Sequence, residues 1–478
     1  MNILTRNRTF IDPQTIWEAL QTHQNPSRSQ IEEIIAKSSA IETLTLQETA
    51  CLIHLQDEDL WEEIFRVALQ IKKKVYDNRI VTFAPLYITN YCLNDCIYCG
   101  FRKTNSQIKR KALSREEIQQ EVEVLAGAIG HKRLTIVFGE HPRYASLDRL
   151  LETLETIYSV KVKTKYGSAS IRRVNVNCAP LDVEALKLLK QAGIGTYQVF
   201  QETYHPERYQ ELHGLHTPKS DDAWRLYCMH RALEAGVDDV GIGVLFGLYD
   251  WRFELLGLVS HARELEAAFG IGPHTVSFPR LEPAVNTPFV DQTPYKISDQ
   301  ELKKIIAILR LAIPYTGMII TARENKAFRD QAIQLGITQT DASSNIGIGG
   351  YSKKSLSQQP EVQQFLLGDT RTLDELVRDL AQQGFITSFC TAGYRCGRTG
   401  DRIMGLLKCG KEALFCKLNA ILTFKEWLDD FASEQTKAVA QPLLEKEMQE
   451  VQQKYPPWAP RLQEYFQRIS SGERDLYF

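Results

Sequence analysis

The chain has 478 residues, 43% hydrophobic and 24% charged, enough to bury a large core in one big domain with appendages or in two domains. Lys+Arg of 57 against Asp+Glu of 59 leave a net charge of −2, which argues against a nucleic-acid or anionic-membrane partner. No apolar run reaches transmembrane length and the amino terminus lacks the apolar stretch of a signal peptide; ten cysteines in that setting predict reduced thiols for metal work in a cytoplasm, not a disulfide framework.

Residues 1–80 show apolar residues at helical spacing over 15–20, 29–36, 44–53 and 60–71. The last run ends in Lys72, Lys73 and Lys74, which suit a helix carboxyl end. No recognisable chemistry falls here, and a helical wrap is expected. From about residue 81 the rhythm changes. Strands are predicted at 81–89, 134–138, 171–177, 195–201, 239–246, 274–278, 317–322 and 336–341, with helical segments at 115–129, 181–192, 221–235, 253–269, 299–311 and 325–335. Gly130, Gly193, Gly236, Gly270 and Gly336 stand where helices would stop. Eight strands alternating with helices predict an α/β fold, a (β/α)8 barrel over 81–385, with chemistry at the carboxyl ends of its strands. Residues 373–383 supply the last barrel helix. Residues 386–478 form a cysteine-containing, helical carboxyl-terminal extension.

The first strand runs into Cys92, Cys96 and Cys99, three thiols within eight residues. Three thiolates on one tight loop can hold three corners of a [4Fe–4S] cluster and leave the fourth iron open. An electron-transfer cluster would want a fourth cysteine, and a structural zinc a closed set of four ligands. The spacing, with the aromatic Tyr98 just before the last cysteine, resembles the signature of the radical S-adenosylmethionine (SAM) superfamily. That resemblance implies a cluster whose open iron chelates the amino and carboxylate groups of SAM.

Later strand ends supply further candidates. Gly139 would let backbone approach a ligand closely, and Glu140 could accept hydrogen bonds from the SAM ammonium or be a solvated loop residue. Asn175, Asn177 and the run 201–205, which includes Glu202, are polar groups in otherwise buried surroundings and need partners, whether ligand or core. The glycines of 241–247 could lie flat against an adenine or serve packing only. Arg280, Glu282, Thr321, Arg323 and the Ser343 run mark the last strand ends. An arginine beside small hydroxyl residues suits bidentate capture of a carboxylate, hence a second amino acid as substrate, with Arg323, Glu282 and Ser343 as the catalytic group. A plain salt bridge to Glu324 or Glu282 is the competing explanation. In the extension, Cys390, Cys396, Cys409 and Cys416, near Arg395, Arg398 and Arg402, suggest a second metal site. Cys51, Cys178 and Cys228 read as buried small residues.

Blocks 91–101, 139–142, 195–205, 234–250, 272–284, 317–324 and 390–401 together resemble the radical SAM tyrosine lyases. The HydG branch of [FeFe]-hydrogenase maturation is the nearer and the ThiH branch of thiazole biosynthesis the more distant. The resemblance implies cleavage of tyrosine at Cα–Cβ to p-cresol and dehydroglycine (2-iminoacetate), with Tyr98, Gly139, Glu140, Asn177 and Glu202 around SAM. It also implies an electron donor such as flavodoxin or ferredoxin, and a maturase or thiazole-synthesis partner. In the HydG branch a second cluster then makes CO and cyanide. Here Cys390 and Cys416 fall on its outer ligand positions and His261 on the histidine that holds its extra iron, but Gly393 replaces the middle cysteine. Either Cys396 or Cys409 completes a three-thiolate set with Cys390 and Cys416, or no stable second cluster forms; the expectation is a lyase that stops at dehydroglycine or its breakdown products. The alternatives are a ThiH-like supply of dehydroglycine for thiazole biosynthesis and a non-catalytic iron–sulfur scaffold or carrier.

Overall fold

The structure, a computed structural model, describes residues 9–353, 358–396, 405 and 412–478. Helices Pro13–Thr22, Arg28–Ser39, Leu46–His54 and Glu58–Tyr76 open the chain. Their starts are written in the sequence: Ser27 with Gln30 and Thr45 with Glu48 form reciprocal capping boxes, satisfying backbone N–H groups that a helix start leaves orphaned. Helix Glu58–Tyr76 carries acids in its first turn and lysines in its last, matching the helix dipole, and packs on helices Asp299–Ala312 and Glu412–Asp430.

Eight parallel strands follow: β1 (Arg79–Thr89), β2 (Arg133–Phe138), β3 (Arg173–Asn177), β4 (Tyr197–Gln198), β5 (Val240–Gly243), β6 (Thr275–Ser277), β7 (Gly317–Ile320) and β8 (Gln339–Asp341). Each pairs with the next, and β8 returns to β1 with Val81 opposite Gln339 and Phe83 opposite Asp341. The sheet is therefore a closed eight-stranded barrel, as the strand–helix alternation predicts. All eleven residues of β1 are buried, which its nearly unbroken apolar sequence favours. A ninth strand, β9 (Ile386–Ser388), adds to β1 outside the barrel, opposite Arg79–Val81.

Three details differ from expectation. β4 keeps only two ladder residues; beyond it the chain peels away, Gln201 N–H still reaching the Gly243 carbonyl while Glu202 adopts φ +74°. The predicted helix over 221–235 breaks at Tyr227 into Asp222–Leu226 and Cys228–Glu234. The helix from Arg115 ends in a π-helical turn, Val124–Ile129.

The carboxyl-terminal helices Glu412–Asp430, Glu434–Lys454 and Ala459–Ser470 are tied to the barrel by buried ion pairs. Glu426 accepts from Lys132 and Arg172 at 2.6 and 2.5 Å. Lys417 meets Glu447 at 2.6 Å and Asp77 at 2.9 Å. Among the described residues no helix is long and apolar enough to cross a membrane.

Candidate active site

β1 ends at Thr89, and the cysteine loop leaves over the barrel mouth. Asn90 sets its return: its side chain donates to the Lys109 carbonyl at 2.9 Å and accepts the Lys111 N–H at 2.7 Å. Neighbouring elements hold the loop by backbone bonds, Leu93 N–H to the Glu140 carbonyl, Ile97 N–H to that of Leu212 and Gly100 N–H to that of Gln364. Gly139 is required where the second strand end passes beneath the loop, because a Cβ there would collide with the Tyr91 carbonyl oxygen.

Cys92, Cys96 and Cys99 line one cavity of about 210 Å³ at the carboxyl ends of the strands. Burial pushes the Cys92 thiol up to about 11 and raises Cys96 further, against the pull of Lys219. Thiols so desolvated ionise only with compensating positive charge, which cluster iron provides. Among the described residues, no three His, Cys, Asp or Glu side chains converge as they would on a single metal ion. Three thiols on one loop suit a multi-iron group.

Tyr98, Gly139, Glu140, Asn177 and Glu202 line the same cavity. The half-buried Glu140 accepts from Asn94 Nδ2 at 2.6 Å and from Arg225 Nη1 at 2.9 Å. Burial opposes its charge, but Arg225 and Lys219 outweigh that and hold its carboxyl below the ordinary range. Tyr98 Oη lies 2.8 Å from His213 Nε2 and 3.1 Å from Lys219 Nζ, and Lys219 also pairs with Glu202 at 3.2 Å. Arg225 and Lys219 escaped the sequence reading. Lys219 arrives from the irregular segment after β4 and Arg225 from the short helix Asp222–Leu226 that follows it, and helical periodicity does not single out an inward arginine.

Across the cavity stand Glu282, Thr321 and Arg323. Glu324 is taken by Arg280, whose Nε and Nη2 reach its two oxygens at 2.6–3.1 Å. Arg323 instead lays its guanidinium 3.4 Å from the Phe365 ring centre. Burial lowers its pKa, while Tyr87, Glu202, Glu282 and Cys99 pull the other way. Glu282, burdened by burial and by the Glu324 charge, is pushed up to about 7. Gln364 and Phe365, also missed in the sequence, complete the wall; Gln364 bridges Tyr87 Oη at 3.0 Å and Cys99 Sγ at 3.4 Å.

Two expected residues lie elsewhere. Ser343 does not line the cavity: at φ +49° its Oγ accepts the Leu373 N–H at 2.7 Å, tying its loop to the last barrel helix. His261 is buried on helix Trp251–Phe269, its Nδ1 3.1 Å from Tyr204 Oη and its ring packed by Phe10 and His230. None of these neighbours is a carboxyl-terminal cysteine.

Those cysteines lie at the opposite, amino-terminal end of the barrel. Cys390, at φ +47°, and the buried Cys416 both bear electrostatically on Tyr76. Arg133 donates to the Cys390 carbonyl at 3.5 Å, and its charge also acts on His274, 3.7 Å from Asp239. The histidine at this floor is thus His274. Cys396 is turned away, its thiol donating to the Phe478 carbonyl at 3.3 Å. Gly393 lies in the short helix Ala392–Arg395. Cys409, Arg398 and Arg402 fall outside the described residues.

Residues 86–256 match the radical SAM superfamily and residues 277–386 the biotin and thiamin synthesis associated domain. The crystal structure of HydG, a maturase of the [FeFe]-hydrogenase, is 45% identical, covering 98% of this chain and 100% of that one, with a TM-score of 0.92. The chain belongs to the HydG family of radical SAM enzymes. Other members fit as well: HydG from Carboxydothermus hydrogenoformans is 40% identical over 96% of this chain and 97% of that one, with a TM-score of 0.78. The 2-iminoacetate synthase of Salmonella typhimurium is 33% identical over 328 residues, 68% of this chain and 81% of its own. As a radical SAM lyase, this HydG-family chain uses a [4Fe–4S] cluster and SAM. Its own residues fit both: three thiols, a glycine floor and a polar wall face one cavity.

Proposed function

We propose that this chain cleaves tyrosine between Cα and Cβ, giving p-cresol and dehydroglycine, and releases dehydroglycine without converting it to CO and cyanide. The observation that carries the substrate is Arg323. With Glu324 engaged by Arg280, the Arg323 guanidinium faces the cavity against Phe365, a fork suited to one amino-acid carboxylate. Cys92, Cys96 and Cys99 would hold the cluster, and Tyr98, Gly139, Glu140, Asn177 and Glu202 would surround SAM. When bound and reduced, this pair would supply the radical chemistry that removes a hydrogen atom from the substrate amino group. Arg323 fixes the carboxylate end of tyrosine so that the amino group has one orientation. Glu282, with its carboxyl near neutrality, holds a proton facing the cavity. The wall of Tyr87, Phe365 and Leu367 keeps water from the substrate.

Among the described residues, the floor does not present three thiolates for a second cluster. Cys390 and Cys416 share the Tyr76 surroundings, Gly393 offers no ligand, and Cys396 points to Phe478. This favours a role like that of the 2-iminoacetate synthases, supplying dehydroglycine to a partner such as a thiazole-synthesis or maturation enzyme. The remaining parts of the reading are a cytoplasmic setting, a flavodoxin or ferredoxin as reductant, and a division into a helical wrap (1–80), catalytic barrel (81–385) and extension (386–478). An iron–sulfur carrier would have no use for an arginine-lined cavity facing its cysteines.

The test is anaerobic reconstitution followed by turnover with SAM, tyrosine and dithionite. Deoxyadenosine and p-cresol without CO, at about four irons per chain, is expected. About eight or nine irons with CO release would overturn the truncated pathway, and deoxyadenosine without p-cresol would overturn tyrosine as substrate.

A further inference from the structure

We propose that the outward face of the cysteine loop, made by Leu93, Ile97 and Leu215 with Lys103 at its edge, is the docking surface for an acidic, flavin-carrying electron-transfer protein. The inference rests on the reading above that the loop holds a reducible cluster.

Seven large hydrophobic residues are exposed among those described; two of them, Leu93 at 37% and Ile97 at 38%, stand on the cysteine loop, and a third, Leu215 at 68%, stands on the adjoining segment. Scattered single exposures need no explanation, but a group at a functional loop does. Leu93 and Ile97 each directly follow a proposed ligand, Cys92 and Cys96. Leu215 joins them because Ile97 N–H bonds the Leu212 carbonyl and Gly214 lies against Asp95, 3.7 Å from an added Cβ to the Asp95 Cβ. Backbone bonds anchor both loop residues, so the apolar face is presented in one conformation, which lowers the entropic cost of docking.

Charge selects the partner. Residues 91–111 hold five basic residues and one acid, in a chain whose total is −2. The acid, Asp95, accepts from the Thr104 hydroxyl at 2.5 Å. Lys109 and Lys111 are paired with Glu361 and Glu117. Among the described residues no carboxylate pairs with Arg102 or with Lys103, whose side chain is exposed and whose N–H bonds the Asn94 carbonyl at 2.8 Å. An apolar centre with a basic edge complements a carrier whose flavin presents its apolar dimethylbenzene edge within an acidic rim. Electron transfer weakens steeply with distance, and this is the surface that the ligand-bearing loop itself forms. The step is one electron from the flavin hydroquinone, left as semiquinone, to the oxidised cluster; no bond forms or breaks.

The experiment compares reconstituted wild-type protein with Leu215→Glu and Lys103→Glu, none of them a proposed ligand or cavity residue. Flavodoxin affinity is read from flavin fluorescence at two ionic strengths, and cluster reduction by stopped-flow absorbance with flavodoxin hydroquinone or with dithionite. Each variant is expected to bind flavodoxin at least about tenfold more weakly and to be reduced by it correspondingly more slowly, with Lys103→Glu also flattening the salt dependence. Dithionite reduction should stay unchanged. Unaltered flavodoxin affinity, or a loss seen with ferredoxin alone, would overturn the surface. Failure of dithionite to reduce the wild-type protein would instead bring down the cluster reading, and the two failures are read in separate arms.

Discussion

Arg280 and Glu324 form a bidentate pair, Nη2 to Oε2 at 2.6 Å and Nε to both carboxylate oxygens at 3.0 and 3.1 Å. The sequence offers Arg323, immediately before Glu324, as the acid's natural neighbour. The chain instead reaches across to β6's exit for the partner, with Asp299 as a second anchor at 2.6 Å. That choice releases Arg323 into the cavity.

Replacing Arg323 by Lys keeps the charge but loses the fork and its stacking on Phe365. The KM for tyrosine should rise about tenfold or more, equivalent to about 1.4 kcal/mol. SAM affinity, measured calorimetrically, should hold. An unchanged tyrosine KM would place the carboxylate elsewhere.

Glu282 titrates within the working range. Its carboxyl is raised by burial and by Glu324, so the folded protein keeps a proton that the unfolded chain gives up at lower pH. The p-cresol rate should therefore show an inflection near pH 7. Glu282→Gln should remove that inflection while a Gln at the exposed Glu207 leaves it in place.

Glu254 gives the same effect outside the cavity lining. Fully buried, it accepts from the Tyr204 N–H at 2.8 Å and from the Thr203 hydroxyl, and burial raises it to about 8. Because the folded state binds the extra proton, its contribution is complete below about pH 4.5. It is then lost as pH rises through about 8, on the order of a few kcal/mol over that window. A Glu254→Gln variant should show a flatter Tm between pH 6 and 9 than wild type, by scanning calorimetry. A parallel slope would assign the pH dependence to other groups.

Gly139→Ala should be disproportionately harmful for one methyl group. The added Cβ meets the Tyr91 carbonyl, which is backbone and cannot swing aside. Overpacking of this kind costs about 1–3 kcal/mol, and here it shifts the loop that carries Cys92. Weaker SAM binding at near-normal folding is expected from calorimetry and circular dichroism. Cys96→Ala should abolish both the cluster's absorbance and SAM cleavage.

Gly393→Cys restores the thiol that the floor lacks. Iron per chain after reconstitution should climb from about four to about eight. No gain in iron would mean that the site needs more than the missing ligand.

All eight barrel strands were legible, because buried parallel strands are short apolar runs between glycine-stopped helices. The cysteine loop was legible because its chemistry depends on spacing. Helix Leu147–Ser159 was overlooked although Ser146 caps it and Leu150, Leu154 and Ile157 repeat along its buried face. Side-chain direction was not legible. Ser343 and His261 have suitable chemistry but face Leu373 and Tyr204. Lys219, Arg225, Gln364 and Phe365 come from irregular or short segments that only the closed barrel brings to its mouth. Ion-pair choice was equally hidden, since adjacency in sequence favours Arg323 for Glu324 and the fold selects Arg280.

The first barrel strand has a neighbour too many: β8 and β9 both take its opening residues, while β2 takes the remainder. The strand that launches the cysteines is therefore braced by the carboxyl-terminal extension. Glu426 grips Lys132 and Arg172 at the roots of the next two strands. Loss of a cysteine at the floor costs only chemistry, whereas loss of the tail would unpair β1 from β9 and strip Lys132 and Arg172 of Glu426. Truncating the chain after β8 would be felt at the far mouth of the barrel, and a deletion mutant's silence would testify to a collapsed support, not to a missing cofactor.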